Sequence, residues 1–332
     1  MLEKLTMDLT PIDQASFEAE KLVHDHPPHW RHGNKHLVYE IACSSGFPVQ
    51  GQVNYARWPK QELPEDLSAP SPFSVCLGVF AYAAPKEPNV VAWHVNFSDE
   101  LLFVAYGSSL LAQDELQAAE HPALGSLREY LISKDMAAVT EEDGNPTPVT
   151  ITGVQRRCVI DTQPNPGAGC PNGLYGNAFA QATEEQVRAV TKSLSPPTIS
   201  NILAIAAPSG GYGTYSRQQM LNILITAYTG FLAAKAESSR IVHGDSKTVI
   251  NTGFWGCGAF GGNRRLMTIL QCLAGELAGV EILFWSTNET GVKLATDARH
   301  WYEQIREDIL TVQCVLDRLV EEKFQWGVSD GN

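Results

Sequence analysis

The chain has 332 residues, 44% hydrophobic and 18% charged, the composition of a globular protein whose core fills one large domain or two smaller ones. A formal net charge of −13 excludes an extended nucleic-acid or anionic-membrane surface and leaves room only for a local basic pocket, such as one around Arg264 and Arg265. No apolar run approaches the roughly 18 residues that cross a bilayer. The opening MLEKLTMDLT does not read as a signal peptide, and seven scattered cysteines read as reduced thiols and not as a disulfide framework or a zinc site, so a soluble intracellular protein is expected.

In chain order, residues 11–23 have Phe17, Leu22 and Val23 in a polar background and suggest a short surface helix. The run HDHPPHWRHGNKH gathers His24, His26, His29, His32 and His36, but Pro27 and Pro28 interrupt any helix that would aim the imidazoles together, so a solvated loop is expected over a metal site. Residues 44–72, rich in Gly, Pro and Ser, read as loop. Residues 1–72 are therefore taken as a helical and loop-rich extension packed on a main domain of residues 73–332. FSVCLGVFAYAA is a strand or a buried helix, and residues 90–97 are a strand in which His94 reads as a packed core residue. A helix is expected from Gln113 towards Glu120, a second in GSLREYLISKDMAAV, then the polar turn EEDGNPTP, the strand VTITGV, and a long binding loop or lid, QPNPGAGCPNGLYGN. Residues 184–194 look helical and end at SPP. The buried strand NILAIAAP follows, then a long helix capped by Ser216 and running through Ala236. VEILFWST is another buried strand, and residues 294–324 are helical by periodicity. Alternating strands and helices in the second half give an α/β sheet with helices on both faces, and no internal repeat is visible.

Residues 248–275 combine a β-branched strand around Val249 and Ile250, the glycines 253, 256, 258, 261 and 262, and a segment of helical spacing from Arg264. A glycine-rich loop handing over to a helix N-terminus lets the backbone approach an anion and aims amide N–H groups at it, so a phosphate or diphosphate is the natural guest. A tight turn with small residues for packing is the other reading. The loop lacks both the Gly-Lys-Ser/Thr ending of the Walker motif and the dinucleotide GxGxxG fingerprint. TGFWGCGAFGG at residues 252–262 closely resembles the diphosphate loop of the poly(ADP-ribose) glycohydrolases, TGxWGCGAFGG, whose catalytic domain is an elaborated macrodomain. The resemblance implies a macrodomain-like α/β fold, a central mixed sheet flanked by helices on both faces, with additional N-terminal and C-terminal helices. It also implies that Gly256, Cys257, Gly258, Ala259, Phe260 and Gly261 bind substrate, Phe260 by packing on the distal ribose.

Glycosidic cleavage needs a carboxyl that protonates the leaving oxygen and then helps water attack. Gln113, Asp114 and Glu115 stand at a helix start, where acids also serve simply as caps. The glycohydrolase family carries a run of three glycines and, some residues later, Gln-Glu-Glu with the second Glu as catalytic acid. VNFSDELLFVAYGSSLLAQDE at residues 95–115 aligns with that region and implies Glu115 as the catalytic acid, Asp114 as the first acid and Gln113 as a substrate contact. On the same alignment Asn96 and Asp99 lie in the segment that holds ribose, Asp99 at the position of the family's Asn. The chain departs from the family at Phe103, Val104 and Ala105, which replace the glycines; either the loop shifts so that residues 107–109 cradle the guest, or the site admits a different substrate. Arg157 in GVQRRC replaces a family Tyr, and Tyr175 with Gly176 falls where the family covers adenine.

The resemblance implies an ADP-ribosyl glycohydrolase that cleaves the O-glycosidic bond at C1 of the distal ribose of poly- or mono-ADP-ribosylated protein. ADP-ribose is the product, and no cofactor, metal, nucleic-acid or membrane partner is implied. The alternatives are a non-catalytic ADP-ribose reader and a hydrolase of a free nucleotide sugar.

Overall fold

The computed structural model describes residues 9–44 and 46–331; the leading segment 1–8, which carries most of the MLEKLTMDLT run, lies outside the described residues. Along them run β1 (Asp13–Glu18), α1 (Ala19–Asp25), α2 (Gly33–Cys43), β2 (Gln52–Arg57), β3 (Phe73–Leu77), β4 (Val90–Ser98), α3 (Gln113–Glu120) and α4 (Ala123–Ser133). A small hairpin, β5 (Glu141–Glu142) with β6 (Asn145–Pro146), leads to β7 (Val149–Ile160), α5 (Glu184–Val190), β8 (Thr191–Ala206) and α6 (Arg217–Val242). The chain finishes with β9 (Lys247–Thr252), α7 (Arg264–Ala278), β10 (Glu281–Ser286), α8 (Glu289–Arg306) and α9 (Val312–Glu321).

Eight strands make one mixed sheet in the order β1-β2-β7-β8-β4-β9-β10-β3. The four on the β1 side pair antiparallel, and β8, β4, β9, β10 and β3 pair parallel. Because side chains alternate along a strand, Leu203 and Ile205 of β8 face one core while Ile202 and Ala204 face the other. The first core joins Trp93, Val95, Ile250 and Phe284 to α6, α7, α8 and α9. On the opposite face Val53, Tyr55, Val149 and Ile151 pack under α1 and α4, and a neighbouring cluster brings together α2, α3 and α5. Two fully buried indoles have their N–H groups bonded, Trp93 to Ser238 Oγ at 2.9 Å and Trp255 to the Ile205 carbonyl at 3.0 Å.

The strands at residues 90–98 and 281–286, the helix from Gln113 to Glu120, and the Ser216 cap with its reciprocal Gln219 contact stand where the sequence puts them. Four readings are corrected. Residues 13–18 are a strand before the helix begins, and residues 52–57, read as loop, are a strand bonded between β1 and β7. Residues 191–194 are not helix: β8 starts at Thr191 and runs through Pro196 and Pro197. That is tolerated because β8 pairs only with β7 there, across a register shift, and meets β4 only from Ile202. Finally, α2 emerges from the histidine-rich stretch, with His32 Nδ1 accepting the Asn34 N–H at its N-terminus. Among the described residues no group of three or more His, Cys, Asp or Glu is placed to hold a metal ion, and no helix is long and apolar enough to cross a membrane.

Candidate functional site

The parallel strands β8, β4 and β9 are neighbours, so their carboxyl ends open on the same side of the sheet, where α/β folds place their crevices. β4 carries Asn96 near that end, and the glycine loop leaves β9 beside it. A Cβ on Gly253 would stand 3.5 Å from the Phe97 ring and 2.8 Å from the Trp285 carbonyl, so the loop hugs the sheet closely from its first residue.

At the start of α3 the three expected residues have three different roles. Gln113 ties the helix to β4: its Oε1 accepts the Phe97 N–H at 2.7 Å and its Nε2 donates to the Val95 carbonyl at 3.0 Å. Asp114 is buried and accepts from Asn96 Nδ2 at 3.0 Å. Glu115, buried too, accepts the Ala112 N–H at 3.1 Å, which makes it the cap of its own helix as well as a candidate acid. Burial raises both carboxyls above the usual range. Asp114 is pushed up to about 8, by desolvation first and the Glu115 charge second. Glu115 rises through desolvation, against the pull of Lys35 and of backbone N–H groups. Asp99 closes a local turn by accepting the Leu101 N–H at 3.0 Å, and its charge helps raise both acids.

A carboxyl whose folded pKa is raised stabilises the fold below its unfolded pKa, and that contribution fades as pH rises towards the folded value. Asp114→Asn should therefore be close to neutral near pH 4. By pH 8 it should gain about 1 to 3 kcal/mol relative to the parent, read by urea denaturation at both pH values.

The residue that the sequence reading missed is Lys35. It sits on α2 with no exposed surface, its Nζ donating to the Tyr106 carbonyl at 2.9 Å, and burial lowers its pKa to about 8 despite the opposing charges of Glu115 and Asp114. The available signal was the stripe Lys35, Val38, Ala42, which puts a lysine on the buried face of a helix.

The glycine loop is folded on itself: Cys257 N–H donates to the Phe254 carbonyl at 3.0 Å, Gly261 to Gly258 at 3.0 Å and Gly262 to Gly256 at 2.9 Å. The amides of Gly258, Ala259 and Phe260 take no part in these turns. Gly256 has φ +72° and a Cβ there would overlap the Ala207 Cβ, which explains the glycine. Cys257 is buried with its thiol pushed up to about 12, an unreactive protonated state. Phe260 is half-buried against the first core, and Ala259 is exposed. Tyr175 lies beside the start of α3. The neighbouring Gly176 exchanges backbone bonds with Leu111, just ahead of α3. Burial pushes the Tyr175 hydroxyl up to about 12, next the charge of Asp330 raises it, and a smaller push comes from Glu115.

Over this region the chain matches the family model described as the poly(ADP-ribose) glycohydrolase catalytic domain, macro domain fold, at residues 173–293. The chain resembles the poly(ADP-ribose) glycohydrolases. The macro domain fold of that description applies to residues 173–293, and the chain as described has a central mixed sheet with helices on both faces. Among solved structures, the poly(ADP-ribose) glycohydrolase of Thermomonospora curvata is 13% identical over 86% of this chain and 85% of that one, with a TM-score of 0.41. The same enzyme bound to the inhibitor ADP-HPD gives 14%, 86%, 84% and 0.43. The poly(ADP-ribose) glycohydrolase of Deinococcus radiodurans in complex with ADP-ribose gives 13%, 88%, 95% and 0.42.

The departure from the glycohydrolase pattern at residues 103–105 has a structural resolution. Phe103 keeps a left-handed backbone, φ +52°, the conformation a glycine adopts without strain, yet its ring is fully buried in the core beneath α1 and α4. Gly107 does not cradle a guest, because a Cβ there would overlap the His29 carbonyl and its own carbonyl accepts the N–H groups of Arg31 and His32. Arg157, in place of the family Tyr, donates to the carbonyls of Phe47 at 2.7 Å and Ala42 at 3.3 Å and so holds the N-terminal stretch.

Proposed function

We propose that this chain is an intracellular ADP-ribosyl glycohydrolase that cleaves the O-glycosidic bond at C1 of the distal ribose of poly- or mono-ADP-ribosylated protein and releases ADP-ribose. Residues 73–332 would supply the acids and the glycine loop, and residues 1–72 would form an extension of that unit that adds β1 and β2 to its sheet and Lys35 to its site. What supports the reading is that two loops leave the carboxyl ends of the adjacent parallel strands β4 and β9, one leading to the acids that open α3 and the other forming the glycine turn before α7, with Tyr175 influenced by both Glu115 and Asp330. The amides around Gly258 would take the diphosphate, Phe260 would pack on the distal ribose, and Tyr175 would stack on adenine. Asn96 and Asp99 would hold the ribose hydroxyls through the groups their present bonds leave available.

Glu115 is the acid. Burial keeps its proton on at a pH where an exposed glutamate has lost it, so it protonates the leaving oxygen as the bond to C1 breaks. The resulting carboxylate then takes a proton from the attacking water. Asp114, its own proton held by burial, accepts from Asn96, and the charge of Asp99 favours the protonated form of Glu115. Burial raises the upper pH limit of the acid, and Lys35 opposes that rise. Lys35→Met should therefore move the alkaline limb of the kcat/KM profile to higher pH by about one unit, whereas a limb that stays in place would remove Lys35 from the account.

The test is direct: the chain is incubated with mono-ADP-ribosylated protein and with poly(ADP-ribose), and free ADP-ribose is measured. Release from either substrate supports the enzyme. Tight ADP-ribose binding with no release, unchanged by Glu115→Gln, would identify a reader instead.

A further inference from the structure

The segment from Gln325 to Gly331 lies across the glycine loop. Trp326 stacks on Tyr215 with ring centroids 4.1 Å apart and planes 13° apart, and Gly211 lacks a Cβ at a point where one would overlap the indole. Asn263, the cap of α7, donates its Nδ2 to the Gln325 carbonyl at 2.9 Å, and the Trp326 N–H donates to the Gly213 carbonyl at 2.9 Å. Beyond this anchor the backbone follows the loop. Gly327 N–H donates to the Gly261 carbonyl at 2.8 Å, and Asp330 N–H reaches the Gly258 carbonyl at 3.4 Å. A Cβ on Gly258 would stand 3.1 Å from Asp330 Oδ2, and Asn177 Nδ2 donates to the Gly331 carbonyl at 2.6 Å.

We propose that residues 327–331 are an autoinhibitory strap, in which the Asp330 carboxylate lies where the diphosphate of the guest is to sit and the bond from Asn177 closes the cleft towards Tyr175. The inference rests on the glycine loop being the anion site of the proposed function. Three features fit a strap that opens. The segment is held over the loop mainly by backbone bonds; its Val328 side chain is 91% exposed, so lifting it uncovers little apolar surface. The anchor at Trp326 is a ring stack outside the loop, so residues 327–331 can lift while Trp326 stays docked. A diphosphate brings more negative charge to a loop of backbone amides than one carboxylate does, so the guest competes with the Asp330 carboxylate for the space beside Gly258.

The experiment is calorimetric titration of ADP-ribose into the full chain, into Asp330→Ala, and into a chain shortened after Trp326, together with hydrogen exchange of residues 327–331 in the full chain with and without ADP-ribose. The strap predicts binding at least about tenfold tighter in the shortened chain, the factor by which a mostly closed state lowers apparent affinity. Asp330→Ala is expected to give part of that gain, and exchange at residues 327–331 to rise when ligand is added. Equal affinity in all three proteins, with the strap amides unchanged by ligand, would overturn the strap and leave the glycohydrolase reading standing. No binding in any of the three, shortened chain included, would overturn both.

Discussion

Glu115→Gln should lower ADP-ribose release by about 10² to 10⁴-fold, the usual contribution of a positioned general acid, with ADP-ribose affinity close to that of the parent. Glutamine keeps the size of the side chain and the acceptor that receives the Ala112 N–H, so α3 keeps its start. What disappears is the transferable proton. A loss confined to kcat separates chemistry from binding, since a group acting only in the transition state leaves ground-state affinity alone. Release that survives the change at parental rate would assign the chemistry to another residue.

The largest effect on stability is expected at the other end of the same helix. Glu120 and Arg156 form a buried ion pair at 2.7 Å, and the second oxygen of Glu120 accepts the Ile160 N–H at 2.8 Å. The guanidinium also stacks over Tyr82 at 4.2 Å, and Tyr82 in turn stacks on His94. Glu120→Ala leaves Arg156 charged and without its partner inside the protein, which should cost about 3 to 5 kcal/mol. Replacing both partners with apolar residues of similar volume should recover much of that, because desolvation of the pair offsets most of its attraction. Chemical denaturation of the single and double variants reads both values. Since this pair holds α3 against β7, the single variant should also weaken the placement of Glu115 and lower turnover further than the stability loss alone explains.

The parts of the fold that the sequence makes legible are those where local chemistry and tertiary packing agree. The Ser216 cap, the apolar β4 and β10, and the helix opening at Gln113 all have their signals within a few residues of where they act. The failures are places where a distant partner decides. Pro196 and Pro197 argue against a strand unless the antiparallel neighbour and the free edge are known. The strand at residues 52–57 has its apolar side defined by β1 and β7, one of them almost a hundred residues away. The site divides in the same way. The glycine loop is visible from its glycines ahead of a helix, whereas Glu115 stands out only through the resemblance to the glycohydrolases, because acids at a helix start otherwise read as caps. Lys35 and the strap reach the site through the folding of both ends of the chain, and no local pattern announces either one as part of it. Phe103 illustrates a third case: the backbone keeps the left-handed turn that suits glycine, while the ring turns into the core, an outcome that depends on space beneath α1 and α4.

The most direct measurement is a crystal structure of the Glu115→Gln chain shortened after Trp326, with ADP-ribose bound. The diphosphate is expected against the amides of Gly258 to Phe260, with the residue 115 side chain within hydrogen-bond reach, about 2.6 to 3.2 Å, of the oxygen on C1 of the distal ribose. A nucleotide bound elsewhere, or a ribose whose C1 points away from residue 115, would contradict it.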